Sequence, residues 1–287
     1  PIAARGLADC PLYDANAAHA LTASAKKAQA EASAADAEQT YRALKAEYEA
    51  FLLKTPKADF QFMLIADVHS DALENGRAGA LRRGLHWARE QQMQAVLDCG
   101  DYSAYGRPAE LDSYWNIMDE EWPDRPLFLA VGNHETLEYK SDELVRYHCG
   151  RLIRRGMVPE GYNMLYYEGE VNGYPVIVLS QYSDTYTVSG YNGLWVQAGE
   201  IKPEQIAFLE DRLDRCRDRE LPVFLIIHNA VKPLLDQQTQ GHSPDNMVLL
   251  KADALYDTLK GRKNVVLCTG HVHNGFGGGA GFYDMAD

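Results

Sequence analysis

Five short apolar runs in this chain each end on a polar motif of Asp, Asn or His, and this pairing narrows the folds open to it. Residues 60–66 precede Asp67-Val68-His69, and residues 95–99 precede Gly100-Asp101. Residues 127–131 precede Gly132-Asn133-His134-Glu135, residues 223–227 precede His228, and residues 264–269 precede Gly270-His271-Val272-His273. Runs of this length, rich in β-branched and aromatic residues, read as strands buried on both faces. In open α/β sheets ligands collect beyond the carboxyl ends of the strands. Five polar motifs at five strand ends therefore converge on one site, although up to about 200 residues separate them. Gly100, Gly132 and Gly270 suit tight turns beside these groups, where a Cβ would crowd the backbone.

The intervening segments complete an α/β layout. Residues 76–92 carry Ala78, Leu81, Leu85 and Ala88 at helical spacing. Helices are also predicted over 110–121, 142–155, 203–217 (with Pro203 at its start) and 252–260. Asn172-Gly173 between 165–171 and 174–180 is a strong hairpin signal. From about residue 14 to 54 the chain is rich in Ala, Glu, Lys and Gln without Gly or Pro, so a helix is expected there. Leu44, Tyr48, Phe51 and Leu52 form its apolar stripe, and Pro56 closes it. The expected organisation is thus a helical extension over 1–57 and one domain over 58–287. The extension is read as packing on the domain, with an oligomerisation arm as the alternative.

Together the motifs supply Asp67, Asp101, Asn133, His69, His228, His271 and His273, with His134 in addition. Carboxylate and imidazole at this density suit first-row divalent metals, and the donors suffice for two ions. Two adjacent dications activate a water for in-line attack at phosphorus and take up the charge growing on the phosphoryl oxygens. A histidine titrates near physiological pH, so His134 is the natural general acid for the departing alkoxide.

The ordered series D-x-H, G-D, G-N-H-E, H, G-H-x-H over about residues 60–280 resembles the calcineurin-like metallophosphoesterase superfamily, in its broader, bacterial-type branch. The resemblance implies two packed mixed β-sheets flanked by helices. It implies that Asp67, His69 and His273 hold one metal, that Asn133, His228 and His271 hold a second, and that Asp101 bridges them. His134 would lie beside the ions without ligating. Mn, Fe, Zn, Co and Ni are all compatible with such a set.

Departures from subfamily patterns narrow the reading. Purple acid phosphatases carry a tyrosine where Ala104 stands and lack the His69 equivalent, so no ferric–tyrosinate site is expected. Protein Ser/Thr phosphatases carry an aspartate in place of Ala104 and an arginine in place of Tyr105. The first would orient His134 and the second would bind phosphate. The continuation after G-N-H-E does not match 5′-nucleotidases either. Tyr102, Tyr105 and Arg107 are candidate substrate contacts by position. The leading expectation is a phosphomonoesterase on a small phosphorylated substrate. A phosphodiesterase on cyclic nucleotides or glycerophosphodiesters is the alternative within enzymes. Outside them, the alternative is a metal-binding scaffold whose helical arm binds a partner.

Composition sets further bounds. A chain of 287 residues with 46% hydrophobic content can bury a full core. Its net charge of -13 argues against a nucleic-acid polymer as partner, since such surfaces are basic. No apolar stretch approaches the roughly 18 residues needed to span a bilayer, and no signal peptide is visible. The start at Pro1-Ile2 is the pattern of a processed form, and localisation is left open. Only residues 274–287 follow G-H-x-H, whereas the resemblance implies further strands, so the expectation is a truncated chain or a sheet covered by the N-terminal helix. Cys10, Cys99, Cys149, Cys216 and Cys268 form no C-x-x-C, and Cys99 and Cys268 read as small core residues. His19, His86, His148 and His242 match no motif; His86 lies in a predicted helix and His19 in an Ala-rich stretch, so solvated or half-buried roles are expected for those two. The segments 182–195 and 232–246 lie near predicted strand ends and could line the pocket; the aromatics there could stack on a substrate or equally pack under the loop.

Overall fold

The computed structural model describes residues 59–73, 76–137, 141–180, 201–231, 252–271 and 273, together with 42–43 and 46–47, which are helical. The remainder of the expected N-terminal helix, the segments 182–195 and 232–246, and residues 274–287 lie outside the described residues.

Every predicted strand is present. β1 (Phe62–Ile65), β2 (Ala95–Asp98) and β3 (Leu127–Leu129) form a parallel sheet in that order. β4 (Tyr167–Val171), β5 (Tyr174–Val178), β6 (Val223–Ile226) and β7 (Val265–Cys268) form a second sheet. There β4 and β5 are antiparallel, and β5–β6 and β6–β7 are parallel. The hairpin turns on Asn172 and Gly173, whose φ values of 53 and 84 are both left-handed, as the tightest hairpin turns require.

Among the described residues from 59 onward the α-helices are α1 (Arg77–Glu90), α2 (Pro108–Glu121), α3 (Ser141–Arg154), α4 (Pro203–Arg215) and α5 (Asp253–Leu259). Proline opens α2 and α4, where its missing N–H would have had no partner. The Glu110 carboxylate accepts the Arg107 N–H at 3.3 Å and so closes the start of α2.

Strand alternation distributes the apolar residues between two cores. Val176 and Val178 of β5, with Phe224 and Ile226 of β6, join the core that also holds β2, β3 and the inner stripes of α1 and α2. Ile177, Val223 and Leu225 point the other way, onto Leu209 and Leu213 of α4 and Leu255 and Leu259 of α5. A period of two thus buries both faces of β5 and β6. The same reading fails at β1 and β7, where Leu64 and Val266 are exposed. Each is the last strand of its sheet among the described residues, so no further described strand helps to cover its outward side chains.

Parallel strands bring their C-terminal ends to one edge, and there the two sheets are tied together. Asp67 N–H donates to the Gly100 carbonyl at 2.9 Å, Gly270 N–H to the His228 carbonyl at 2.8 Å, and His228 Nδ1 meets the Cys99 carbonyl at 2.9 Å. Cys99, Cys149, Cys216 and Cys268 are buried free thiols. No helix among the described residues is long and apolar enough to cross a membrane.

Candidate metal centre

The turns after the strands are sharp. Asp67, His69, Asp101, His271 and His273 have φ of 54, 46, 55, 72 and 50, all left-handed. Non-glycine residues seldom adopt this region, and each such residue stores about 1 kcal/mol or more that the surroundings must offset. The offset is visible as hydrogen bonds. His69 N–H donates to the Asp101 carbonyl at 2.9 Å, and His271 N–H donates to both Asp67 carboxylate oxygens at 3.0 and 2.9 Å. Gly132 is required by proximity. A Cβ there would stand 2.1 Å from Asp101 Oδ1.

These turns bring the predicted side chains together in three overlapping groups: Asp67, His69 and His273; His69, Asp101 and His134; and Asp101, His228 and His271. Within each group the donor atoms all lie within 4.8 Å of one another. His273 Nε2 is 3.0 Å from Asp67 Oδ1 and 2.9 Å from His69 Nε2. His228 Nε2 is 3.0 Å from Asp101 Oδ2, and His134 Nε2 is 3.8 Å from it. Asn133 follows Gly132 directly, and its Oδ1 is buried without a hydrogen-bond partner among the described residues.

His228 provides the test of whether cations fit here. With Nδ1 donating to the Cys99 carbonyl, the neutral ring presents a bare Nε2. That atom is buried 3.0 Å from Asp101 Oδ2. A lone pair facing an anion is repulsive unless a positive charge stands between them. Without a metal, a proton is the substitute: burial opposes a charged ring, but the Asp101 carboxylate prevails and lifts the His228 pKa to about 9. Asp101 is buried, yet His228 and His134 hold its carboxyl well below the usual range. Burial, helped by the neighbouring imidazoles of His134 and His273, pushes His69 down to about 4, which keeps its nitrogen available as a donor to a metal. Imidazole nitrogens and carboxylates converging in this way are the donor set of a divalent-metal centre.

His134 is held by its other nitrogen. Its Nδ1 makes a short bond to the Ala104 carbonyl, which leaves Nε2 facing the cluster. The backbone at Ala104 thus supplies the orientation that a side-chain aspartate would give in a protein phosphatase.

Two supporting residues went unassigned in the sequence. Glu135 Oε2 accepts the N–H groups of Asp101 at 3.0 Å and Gly132 at 2.9 Å, and Oε1 accepts Ser103 N–H and Oγ–H at 2.8 Å each. Burial and the Asp101 charge push its carboxyl up to about 8, while four donors pull the other way. Below the cluster, buried Asp98 accepts Gly100 N–H at 2.9 Å and Tyr114 Oη–H at 2.7 Å. A carboxylate inside an apolar strand is the signal that could have found Asp98. For Glu135 the signal was its place in G-N-H-E.

One expectation needs correction. Tyr102 is buried against Tyr114, Trp115 and His148, so it cannot touch substrate, whereas Tyr105 remains exposed. His148, which matched no motif, is fully buried, because α3 carries it into the aromatic cluster around Tyr102. His86 lies on exposed α1 surface beside Glu90, as expected. His19 and His242 lie outside the described residues.

Comparison with known proteins agrees with the geometry. The profile of the calcineurin-like phosphoesterase family matches residues 60–275. A dimetal phosphatase from Danio rerio shares the fold, with a TM-score of 0.57 at 18% identity over 75% of this chain and 82% of that one. A purple acid phosphatase from yellow lupin (Lupinus luteus) seeds gives 0.43 at 14% identity, over 75% of this chain and 38% of that one. No curated protein matches the chain. On the family profile, which spans the converging motifs from Asp67 to His273, the chain belongs to the calcineurin-like phosphoesterases, a family that implies a centre of two divalent metals.

Proposed function

We propose that the protein is a phosphomonoesterase acting on a small phosphorylated substrate. Asp67, His69 and His273 would hold one cation, Asn133, His228 and His271 the other, with Asp101 shared. When bound, the cations supply Lewis acidity, lowering the pKa of water and accepting the charge that grows on the phosphoryl oxygens. The observation that carries this reading is the buried His228 Nε2 held 3.0 Å from the Asp101 carboxylate, a contact that a cation between the two would relieve.

The chain's own residues complete the chemistry. The Ala104 carbonyl fixes the His134 ring so that Nε2 faces the site, partly open to solvent. Protonated there, His134 delivers its proton to the departing oxygen. Glu135 holds the backbone of Asp101 and Gly132 in place, and His271 N–H holds the Asp67 carboxylate.

A monoester is favoured over a diester by charge at the rim. Arg77 Nη1 reaches the His69 carbonyl at 3.5 Å, and the Arg107 guanidinium lies over Tyr105 near His134. A guanidinium bonded to the His69 backbone and a second stacked on the ring beside His134 would suit a dianion. Hydrolysis of p-nitrophenyl phosphate and bis-p-nitrophenyl phosphate, by chelator-stripped protein reloaded with Mn²⁺, Zn²⁺ or Ni²⁺, tests this. Metal-restored activity on the monoester is the expected result. Preference for the diester overturns the monoesterase assignment, and silence on both with two metals bound revives the scaffold reading.

A further inference from the structure

The loop between β2 and α2 is pinned from two sides. Glu135 holds Ser103, and Ser103 Oγ accepts Gly106 N–H at 3.1 Å. Glu110 Oε2 accepts the N–H groups of Tyr105 at 2.7 Å and Arg107 at 3.3 Å. Gly106 has φ +70, and a Cβ there would lie 2.6 Å from the Glu135 carbonyl oxygen, so the loop lies flat on the turn that carries His134.

This anchored backbone presents one large ring to solvent. Tyr105 is 51% exposed, while Tyr102, Ser103 and Ala104 beside it are buried. Arg107 Cζ sits 4.7 Å from the centre of the Tyr105 ring, and its Nη1 is 3.9 Å from Glu110 Oε1. The Tyr105 and His134 ring centres are 6.5 Å apart, tilted by 45°. An exposed ring on a pinned loop loses little conformational freedom when a ligand covers it, which favours binding.

His134 delivers its proton to the leaving oxygen under the function proposed above, and the inference rests on that reading. Whatever stands beside His134 therefore meets the leaving group. We propose that Tyr105, backed by Arg107, is the leaving-group subsite, and that it takes a flat aromatic alcohol: the substrate class is aryl phosphates. A ring attached to the ester oxygen would lie about one ring-to-ring contact from Tyr105, since paired aromatic centres stand about 4.5–7 Å apart. The Arg107 guanidinium extends the planar stack on the tyrosine.

The test compares phenylphosphonate with cyclohexylphosphonate, which carry the same charge on a flat and a puckered ring. Calorimetric titration of the metal-loaded full chain is expected to show phenylphosphonate binding roughly tenfold tighter, the size of one stacking contact. Tyr105→Phe keeps that preference, and Tyr105→Leu abolishes it, since leucine is apolar and of similar bulk but not flat. Equal affinities in the unmodified protein, no binding of either phosphonate, or a preference that survives Tyr105→Leu would each overturn the subsite. An equal loss for both ligands in Tyr105→Leu would reduce Tyr105 to a loop-packing residue, which also overturns it. Turnover of the mono- and diester nitrophenyl substrates in the same samples reports separately on the monoesterase reading. A diester-specific protein that still prefers phenylphosphonate loses that reading and keeps the subsite.

Discussion

The two ends of the ligand cluster meet water differently. The side chains of His228 and Asp101 are 0% and 1% exposed, whereas that of His273 is 56% exposed. At the dry end each group has a fixed neighbour: Cys99 sets the His228 ring and Glu135 sets the Asp101 backbone. At the wet end His273 touches Asp67 and His69 in partial contact with solvent. Charge–charge attraction is several times stronger away from water. The same donor types should therefore bind a cation tightly on the Asp101–His228 side and more weakly on the Asp67–His273 side.

Five changes probe that contrast. If Asp101 is shared by both cations as proposed, Asp101→Asn should lower turnover by about ten-thousandfold and release both metals, measured by elemental analysis. Retention of two metals would contradict its shared role. His134→Ala should leave metal content intact and lower turnover by about a thousandfold, most for poor leaving groups. Equal losses across leaving-group pKa would remove it as general acid. A pair of ligand variants tests the asymmetry directly. His273→Ala should weaken one metal by about a hundredfold and leave the tighter step of a chelator titration unchanged, whereas His228→Ala should erase that tighter step. The reverse pattern would break the comparison. Glu135→Gln, which swaps one acceptor oxygen for a donor, should weaken metal binding or turnover by roughly thirtyfold. An unchanged protein would show that the backbone of Asp101 needs no such anchor.

The smallest effect concerns a dry imidazole with no carboxylate beside it. Burial lowers the His148 pKa from 6.5 to about 4, with the Leu129 backbone opposing, and its Nδ1 faces the Tyr102 hydroxyl at 3.4 Å. The folded state resists the proton that the unfolded chain accepts, so stability is lost as pH falls below 6.5. His148 should account for about 1 kcal/mol of loss between pH 7 and 5.5, so His148→Phe should lose that much less stability over this range, read by urea unfolding of chelator-stripped protein. A profile unaltered by the substitution would mean that the ring is charged in the fold. His228, equally buried, moves the opposite way because Asp101 is its neighbour.

Much of this architecture was legible in the residues, because an apolar run that stops at Asp, Asn or His marks both a strand and its functional end. The predicted runs exceed the strands by one to three residues, as 60–66 does β1, because the chain turns away before the ligand, left-handed at Asp67. The helical stripe Ala78, Leu81, Leu85, Ala88 and the Asn172-Gly173 turn are local patterns, and they are found as read. What was hidden depends on which segments meet. Glu135 reaches residues 32 and 34 positions away, which no periodicity reports. Tyr102 lies in a stretch that looks like an exposed loop, and only the packing of α2 and α3 shows it to be core. The exposure of Leu64 and Val266 follows from strand order, which a single run does not encode.

The pairing of His273 with Asp67 spans 206 positions. Chains emerge from the ribosome N-terminus first, at about 5–20 residues per second. Asp67, Asp101 and His134 are exposed to the cell's metal pool for many seconds before His273 is made. The Asp101 and His228 group waits for His271 just as the Asp67 group waits for His273, so both close only after nearly all of the described sequence has been translated.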